Sequence, residues 1–286
     1  AAEHPGRVFG RLLGAEVDVL LRQEHGVAAF LAEGGFERAA GAGGPFLEQQ
    51  REGAALEAPA DLPGAAVKYV RRIVAQVRRI TPVPVLLGGH HATVSPDDAF
   101  AIPGVDALIR GDGEDALVAY LDRLQDRTGF AGVPGLWVRS GDGTEVRNEG
   151  VGYTADLDRL PWLDWDLWDD LDRYLYFFGM LYVQGSRGCP YQCTFCDAQG
   201  YAAALKQAGR YFRLRSPEGF AAELAHYHER YAARGLRMFQ VFDPVFTMDG
   251  AWLQRFCDEY RRLGLADRIR FSAFSRIDHL DEEKIR

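Results

Sequence analysis

No apolar run in these 286 residues approaches the ~20 needed to cross a bilayer. Residues 1–14 hold no uninterrupted apolar stretch, so a secretory signal peptide is not expected there. Positive charge is in deficit, with 33 Lys and Arg against 41 Asp and Glu and a formal net charge of −8. That balance disfavours a general nucleic-acid binder, which needs a basic face. Cysteine is scarce, at four residues, and offers no plausible disulfide framework. Hydrophobic residues at 47% allow a chain of this length to bury cores without staples.

Three of the four cysteines fall within eight residues, in the run Ser186-Arg187-Gly188-Cys189-Pro190-Tyr191-Gln192-Cys193-Thr194-Phe195-Cys196. A Gly- and Pro-bearing loop is not a core pattern for cysteine. Structural zinc usually takes four Cys or His ligands; this run has one Cys-x-x-Cys and no nearby histidine. A zinc-binding interaction module therefore remains the weaker alternative. The spacing lets three thiolates converge on an iron–sulfur cube and leaves its fourth iron open. Cys257, among Trp252, Phe256 and Tyr260, reads as plain packing on an apolar helix face.

Cys189, Cys193 and Cys196 in Cys-x-x-x-Cys-x-x-Cys, with Phe195 before the last, Ser-Arg-Gly-Cys-Pro ahead and Phe-Cys-Asp behind, resemble the signature of the radical S-adenosylmethionine enzymes. The resemblance implies a [4Fe–4S] cluster whose open iron binds S-adenosylmethionine. One electron then cleaves a carbon–sulfur bond, and a 5′-deoxyadenosyl radical takes a hydrogen atom from substrate. Phe195 matches a position near the adenine. A one-electron reductant such as flavodoxin or ferredoxin is implied, and free thiols with an oxygen-labile cluster imply a reducing cytoplasm.

Upstream, Ala15 to Leu21 is expected as a strand and Gly26 to Ala32 as the opening of a helix. Gly34 to Gly44, rich in Gly and Ala, is expected to be irregular. From Ala66 to Ile80, Val67, Val70, Ile73, Val74 and Val77 recur at helical spacing, and Lys68, Arg71, Arg72, Arg78 and Arg79 read as a solvated face. Thr81-Pro82-Val83-Pro84 ends that helix. Val85 to Leu87 and Val105 to Ile109 read as strands. Each runs into a glycine loop, Gly88-Gly89-His90-His91-Ala92-Thr93 and Arg110-Gly111-Asp112-Gly113-Glu114. A helix with Leu117, Val118, Leu121 and Leu124 on one side follows. This rhythm is that of an open parallel sheet, whose ligands sit beyond the carboxyl ends of the strands.

Either loop alone could be a tight turn. As a pair ahead of the cysteine run they resemble the cobalamin-binding domain of one radical S-adenosylmethionine subfamily. On that resemblance Gly88, Gly89, His90, Thr93, Gly111, Asp112 and Glu114 line the corrinoid. There is no Asp-x-His-x-x-Gly, the signature of proteins that supply cobalt with a histidine, so His90 and His91 are expected to pack or hydrogen-bond. The subfamily's middle strand is not evident among residues 40–62.

Residues 132–150 read as a hairpin, Gly135–Arg139 against Thr144–Arg147, followed by a connector whose Trp162, Trp165 and Trp168 are expected to pack against both domains. From Leu181 a second domain repeats strand and helix: Leu181–Gln184, a helix capped by Ser216-Pro217 and ended by Gly235, Met238–Phe242, Asp249–Leu263, and Ile269–Phe274. Asp243, at a strand end, either holds the amino group of S-adenosylmethionine, by resemblance, or caps the turn before Pro244. Ser272 and Ser275 are further candidate contacts of the same ligand.

The expected fold is α/β. An incomplete Rossmann-like cobalamin-binding domain (1–131) is followed by a hairpin and linker (132–180) and a partial (β/α) radical S-adenosylmethionine barrel (181–286). The chain ends after about three of the six strands expected of such a barrel, so a fragment of a longer protein is expected. The implied function resembles that of class B radical S-adenosylmethionine methyltransferases: radical methylation of an unactivated carbon of a small molecule or peptide. The alternatives are oxidation, cyclisation or rearrangement of a tetrapyrrole or natural product, and a cluster- or corrinoid-binding piece without turnover.

Overall fold

The computed structural model describes residues 18–22, 27–31 and 62–285, with side chains from residue 67 onward except 283 and 285. The described residues fall into two compact units that part between Tyr153 and Thr154, with Ala203–Ala208 grouped with the first. Among them no helix is long and apolar enough to cross a membrane.

The first unit is built on a six-stranded sheet. Its elements in chain order are β1 (Asp18–Arg22), β2 (Val27–Leu31), α1 (Leu62–Ile80), β3 (Val85–Leu87), α2 (His90–Val94), α3 (Pro96–Phe100), β4 (Ala107–Ile109), α4 (Glu114–Asp126), β5 (Leu136–Arg139) and β6 (Glu145–Arg147). The spatial order of the strands is β1 to β6 without interchange. β2, β3 and β4 run parallel; β1 joins β2 antiparallel, and β5 and β6 add antiparallel beyond β4.

Every residue of β3 and β4 is buried, as short apolar strands must be when helices cover both faces. Alternation sorts their side chains. Val85, Leu87 and Leu108 face Val74 and Val77 of α1 together with Ala92, Phe100 and Ile102. Leu86, Ala107 and Ile109 face Ala116 and Tyr120 of α4 together with Val133 and Leu136. This three-layer arrangement around parallel central strands is the Rossmann-like α/β architecture expected from the sequence.

Several expectations are corrected. The stretch Gly26 to Ala32 is a strand in its described part, β2, and not the start of a helix; five apolar residues carry too little periodicity to choose, and pairing with β3 decides. The strand expected at Ala15 to Leu21 is found as β1, with residues 15–17 outside the described residues. Gly34 to Gly44 and residues 40–61 also lie outside them. Val118 points away from the core at 59% exposure; the buried face of α4 is Ala116 and Tyr120, with Leu117, Leu121 and Leu124 beside them. Arg78 is not simply solvated. Its guanidinium donates to the carbonyls of Gly104 (2.9 Å) and Val83 (2.7 Å) and pairs with Asp106, whose carboxylate also accepts from the Val85 amide at 2.6 Å. These bonds hold together the turn between α1 and β3 and the entry to β4. The 132–150 hairpin is hydrogen-bonded onto β4 as part of the first sheet. Asp142 and Gly143 (φ +85°) close its turn, and residues from Thr154 on belong to the second unit.

From Thr154 on, the elements are α5 (Leu171–Phe178), β7 (Met180–Val183), β8 (Ser186–Arg187), α6 (Ala198–Leu205, whose last three residues are grouped with the first unit), β9 (Arg213–Leu214), α7 (Pro217–Tyr231), β10 (Met238–Val241), α8 (Gly250–Arg262), β11 (Arg270–Ala273) and α9 (Glu282–Ile285). β7, β10 and β11 form a parallel sheet in that order, with α7 and α8 as the successive crossovers. β8 and β9 make a separate two-stranded ribbon.

Local chemistry sets the helix ends as expected. Ser216 accepts from the Gly219 amide with Pro217 in the first turn, Asp249 accepts from Trp252, and Gly235 (φ +108°) and Gly264 (φ +69°) follow the two helices. Phe220, Leu224, Tyr227 and Tyr231 of α7 are all buried against Leu181, Val183, Phe239 and Val241. Each such side chain contributes ~1.5–3 kcal/mol by burial.

In the connector, Trp165 lies in this same core, while Trp162 and Trp168 are about 40% exposed, with Trp162 against His226. A buried polar network locks the connector down. Glu223 pairs with Arg215, Arg215 faces Asp158, and Asp158 accepts from the Ser216 amide at 2.7 Å. The Tyr227 hydroxyl lies 2.6 Å from Glu223 and 2.9 Å from the Leu163 carbonyl.

Candidate functional site

In the first unit the parallel register sets Leu86 opposite Ala107 and Leu87 opposite Leu108, so β3 and β4 end side by side. Both glycine loops emerge there. Gly89 has φ +86° and ψ −162°, a backbone region open only to glycine. Thr93 is 1% exposed, and its hydroxyl joins the two loops: Oγ1 donates to the Gly89 carbonyl (2.9 Å) and accepts from the Gly111 amide (2.8 Å). Gly111, at φ +82°, bridges to Gly152, and a Cβ there would lie 2.3 Å from the Gly152 carbonyl oxygen. Asp112, 8% exposed, donates its amide to that same oxygen at 2.9 Å. Glu114 opens α4, where a carboxylate suits the amide end of the helix. Gly88 directly follows β3, and His90 is half-buried at the start of α2. His91 Nε2 lies 3.1 Å from an Asp98 carboxylate oxygen. Thr93 and Gly152 are the members of this cradle whose structural part periodicity does not reveal.

In the second unit the register aligns Val183, Val241 and Ala273, so Gln184-Gly185, Phe242-Asp243 and Phe274-Ser275-Arg276 leave the sheet at one edge. Parallel α/β sheets keep their chemistry at this edge. The cysteine run starts there and its entrance is pinned. The Gly185 amide donates to Asp243 at 2.9 Å and the Gly185 carbonyl accepts from the Arg215 amide at 2.9 Å. Ser186 and Arg187 pair with Leu214 and Arg213. Gly188 (φ +81°) passes so close to Tyr211 that a Cβ would lie 2.3 Å from its carbonyl oxygen. Beyond it the Cys193 carbonyl accepts from the Cys196 amide (3.0 Å) and from the Gln199 side chain (2.7 Å), curling the loop around that carbonyl.

Cys189 and Cys193 are half-buried and Cys196 is exposed. Burial, and then the charges of Cys196 and Cys193, push the Cys189 thiol above its usual range against the pull of Arg276, so the sulfurs lie within electrostatic reach of one another. Among the described residues, no three Cys, His, Asp or Glu side chains close on the point a single ion would occupy. A cube asks for something else, one thiolate on each of three irons, and three thiols spread along one curled loop suit that demand. Phe195 is 91% exposed beside them. Cys257 lies half-buried against the core on α8.

Asp243 is 1% exposed, and burial pushes its carboxyl up to about 6 despite hydrogen bonds from the Gly185 and Ser186 region. Its visible work is to brace the segment leading into the cysteines. The folded carboxyl binds its proton more tightly than the unfolded one, near 4, so it adds stability at low pH and loses it as pH rises through about 6. Stability relative to Asp243→Asn is therefore expected to improve by about 1.4 kcal/mol between pH 7.5 and pH 5, measured by urea unfolding at both. An unchanged difference would contradict the assignment.

Ser275 shares a hydroxyl–hydroxyl hydrogen bond with Thr247, and Ser272 is exposed on the sheet face opposite the helices, as is Tyr182. Arg276, not singled out from the sequence, has one guanidinium nitrogen 3.6 Å from Cys193 Sγ. Its position directly after a parallel strand was the available signal.

Residues 61–121 match the B12 binding domain family. The chain is 29% identical over 163 residues to the anaerobic magnesium-protoporphyrin IX monomethyl ester cyclase of Synechocystis sp., covering 54% of this chain and 29% of that protein. It is 33% identical over 126 residues to the cobalamin-dependent radical SAM methyltransferase TokK of Streptomyces tokunonensis, covering 42% of this chain and 18% of that protein. The chain is thus similar to cobalamin-dependent radical S-adenosylmethionine enzymes, and its residues 61–121 match a B12 binding domain. It spans less than a third of the length of these curated relatives. The fold is shared with the radical S-adenosylmethionine methyltransferase TsrM of Kitasatospora setae, at TM-score 0.59 and 21% identity over 76% of this chain and 41% of that one. TsrM has also been solved with cobalamin and a [4Fe–4S] cluster bound. The B12-binding match runs from α1 into α4 and so contains both glycine loops.

Proposed function

We propose that this chain carries the corrinoid and cluster sites of a cobalamin-dependent radical S-adenosylmethionine enzyme that methylates an unactivated carbon of a small molecule or peptide. The observation that carries the reading is the pinned loop of three thiols at the carboxyl edge of a parallel sheet, in a chain whose residues 61–121 match a B12-binding domain. When bound, the cluster, S-adenosylmethionine and cobalamin would supply a reducing electron, a radical source and a transferable methyl group.

The chain's own residues do the placing. Cys189, Cys193 and Cys196 would ligate three irons, and Asp243, through Gly185, fixes where the ligand loop begins. Phe195 offers an exposed ring to an adenine, and Ser272 and Ser275 stand at the strand edge for the rest of S-adenosylmethionine. Gly88, Gly89 and Gly111 let a bulky corrinoid approach the backbone, while His90, Asp112 and Glu114 provide polar edges and Thr93 ties the two loops together from beneath. A one-electron donor of the flavodoxin or ferredoxin class would serve as partner, in a reducing cytoplasm.

A second reading, oxidative cyclisation of a tetrapyrrole, is favoured by the similarity to the ester cyclase. Anaerobic reconstitution with iron, sulfide and hydroxocobalamin tests the common part. About four irons per chain, bound corrinoid and 5′-deoxyadenosine on reduction are expected. Cluster or corrinoid without 5′-deoxyadenosine would make the chain a binding piece, and a colourless protein holding zinc would overturn the reading. Transfer of labelled methyl from S-adenosylmethionine to product separates methylation from cyclisation.

A further inference from the structure

Arg276 leaves β11 at the sheet edge where the cysteine loop begins, and three neighbours fix its guanidinium. Nε and Nη2 are held by the two carboxylate oxygens of Asp278, at 2.9 Å and 2.7 Å. The guanidinium carbon lies 4.0 Å from the centre of the Tyr191 ring, a cation–π contact. Tyr191 is itself fixed, with its hydroxyl bonded to His279 Nε2 and the two rings edge to face at 5.5 Å. The remaining nitrogen, Nη1, is directed at Cys193 Sγ, 3.6 Å away. A planar fork clamped on two sides has little freedom to turn elsewhere, so this donor is pre-set toward one sulfur.

We propose that Arg276 is a positioning residue that orients the Cys193 thiolate and sets how readily the cluster takes its electron. The proposal rests on the reading of Cys189, Cys193 and Cys196 as cluster ligands. Hydrogen bonds and positive charge at a ligating sulfur stabilise the reduced, more negative form, and outer partners of this kind tune metal sites without touching the metal. Asp278, Tyr191 and His279 act one step further out by holding the fork. The step affected is a one-electron reduction by an external donor, in which no bond at Cys193 is made or broken.

The test compares the reconstituted chain with Arg276→Gln and Arg276→Lys in a redox titration followed by paramagnetic resonance, without S-adenosylmethionine present. Iron and sulfide are counted in every sample. Arg276→Gln is expected to keep its iron and to be about tenfold less reduced at a fixed potential, a downward shift of about 59 mV for a one-electron couple. Arg276→Lys, which keeps the charge but not the fork, is expected to recover part of the shift. An unchanged midpoint in a fully loaded Arg276→Gln overturns the proposal. Loss of iron from both variants overturns it as well, because Arg276 would then hold the loop and not the sulfur's electrons. A parent chain that takes up no cluster at all defeats the ligand assignment instead.

Discussion

Cys193→Ala is expected to take the reconstituted chain from about four irons to fewer than one. Each thiolate of a three-cysteine cube secures a different iron, so two remaining sulfurs leave two irons without a protein ligand. The loss is sharpened by what surrounds this position. Cys193 lies between the other two in the run, its carbonyl anchors the Cys196 amide and the Gln199 side chain, and its sulfur receives Arg276. Alanine keeps the backbone bonds and removes only the sulfur, so the loop retains its curl while the cube loses a corner. Cys257→Ala, half-buried against the core on α8, is the control and should load normally. Iron and sulfide analysis with Mössbauer spectroscopy reads the result; a full cube in Cys193→Ala would remove the basis of the ligand assignment.

The second large effect is expected at Gly111. Its φ of +82° costs any other residue ~1–2 kcal/mol, and its Cβ would be driven to 2.3 Å from the Gly152 carbonyl oxygen, a backbone atom that cannot swing aside. Gly111→Ala must therefore break the bridge to Gly152 and pull its amide from Thr93, for a total of about 3 kcal/mol or more. Hydroxocobalamin titration followed by absorbance should show binding weakened at least tenfold. Gly143→Ala is the matched control. Its φ is +85° but nothing lies within 4 Å of the added methyl, so only the backbone strain is incurred and corrinoid binding should hold. Equal behaviour of the two variants would mean that the Gly111 loop has no part in the corrinoid site.

Where the chain carries its own local instructions, the fold could be read directly. Ser216-Pro217 and Gly235 bracket α7, and Phe220, Leu224, Tyr227 and Tyr231 are its buried face, because caps and 3.6-residue periodicity need no knowledge of the partner. β2 departs from the helix expected there because a short apolar run suits helix and strand alike, and only a neighbour distant in sequence settles it. α5 is short, with only Leu171 and Leu175 buried, and it is set within a run of acids and aromatics that hides its two-turn stripe. Arg78 looked like one more solvated helix charge because its partners, Gly104 and Asp106, come more than 25 positions later. The same holds at the candidate site. The three cysteines announce themselves by spacing, but Arg276 meets Cys193 across 83 positions, and Asp243 meets Gly185 across 58. Such pairs exist only once parallel strands have brought their ends to one edge.

The Thr93 hydroxyl has two bonds to make and spends them on different loops. The two turns consequently behave as a single mechanical part: displacing one deprives the other of its partner. Changes made separately at Gly89 and Gly111 should fail to add, and a guest that grips only one turn will quiet the amide exchange of both.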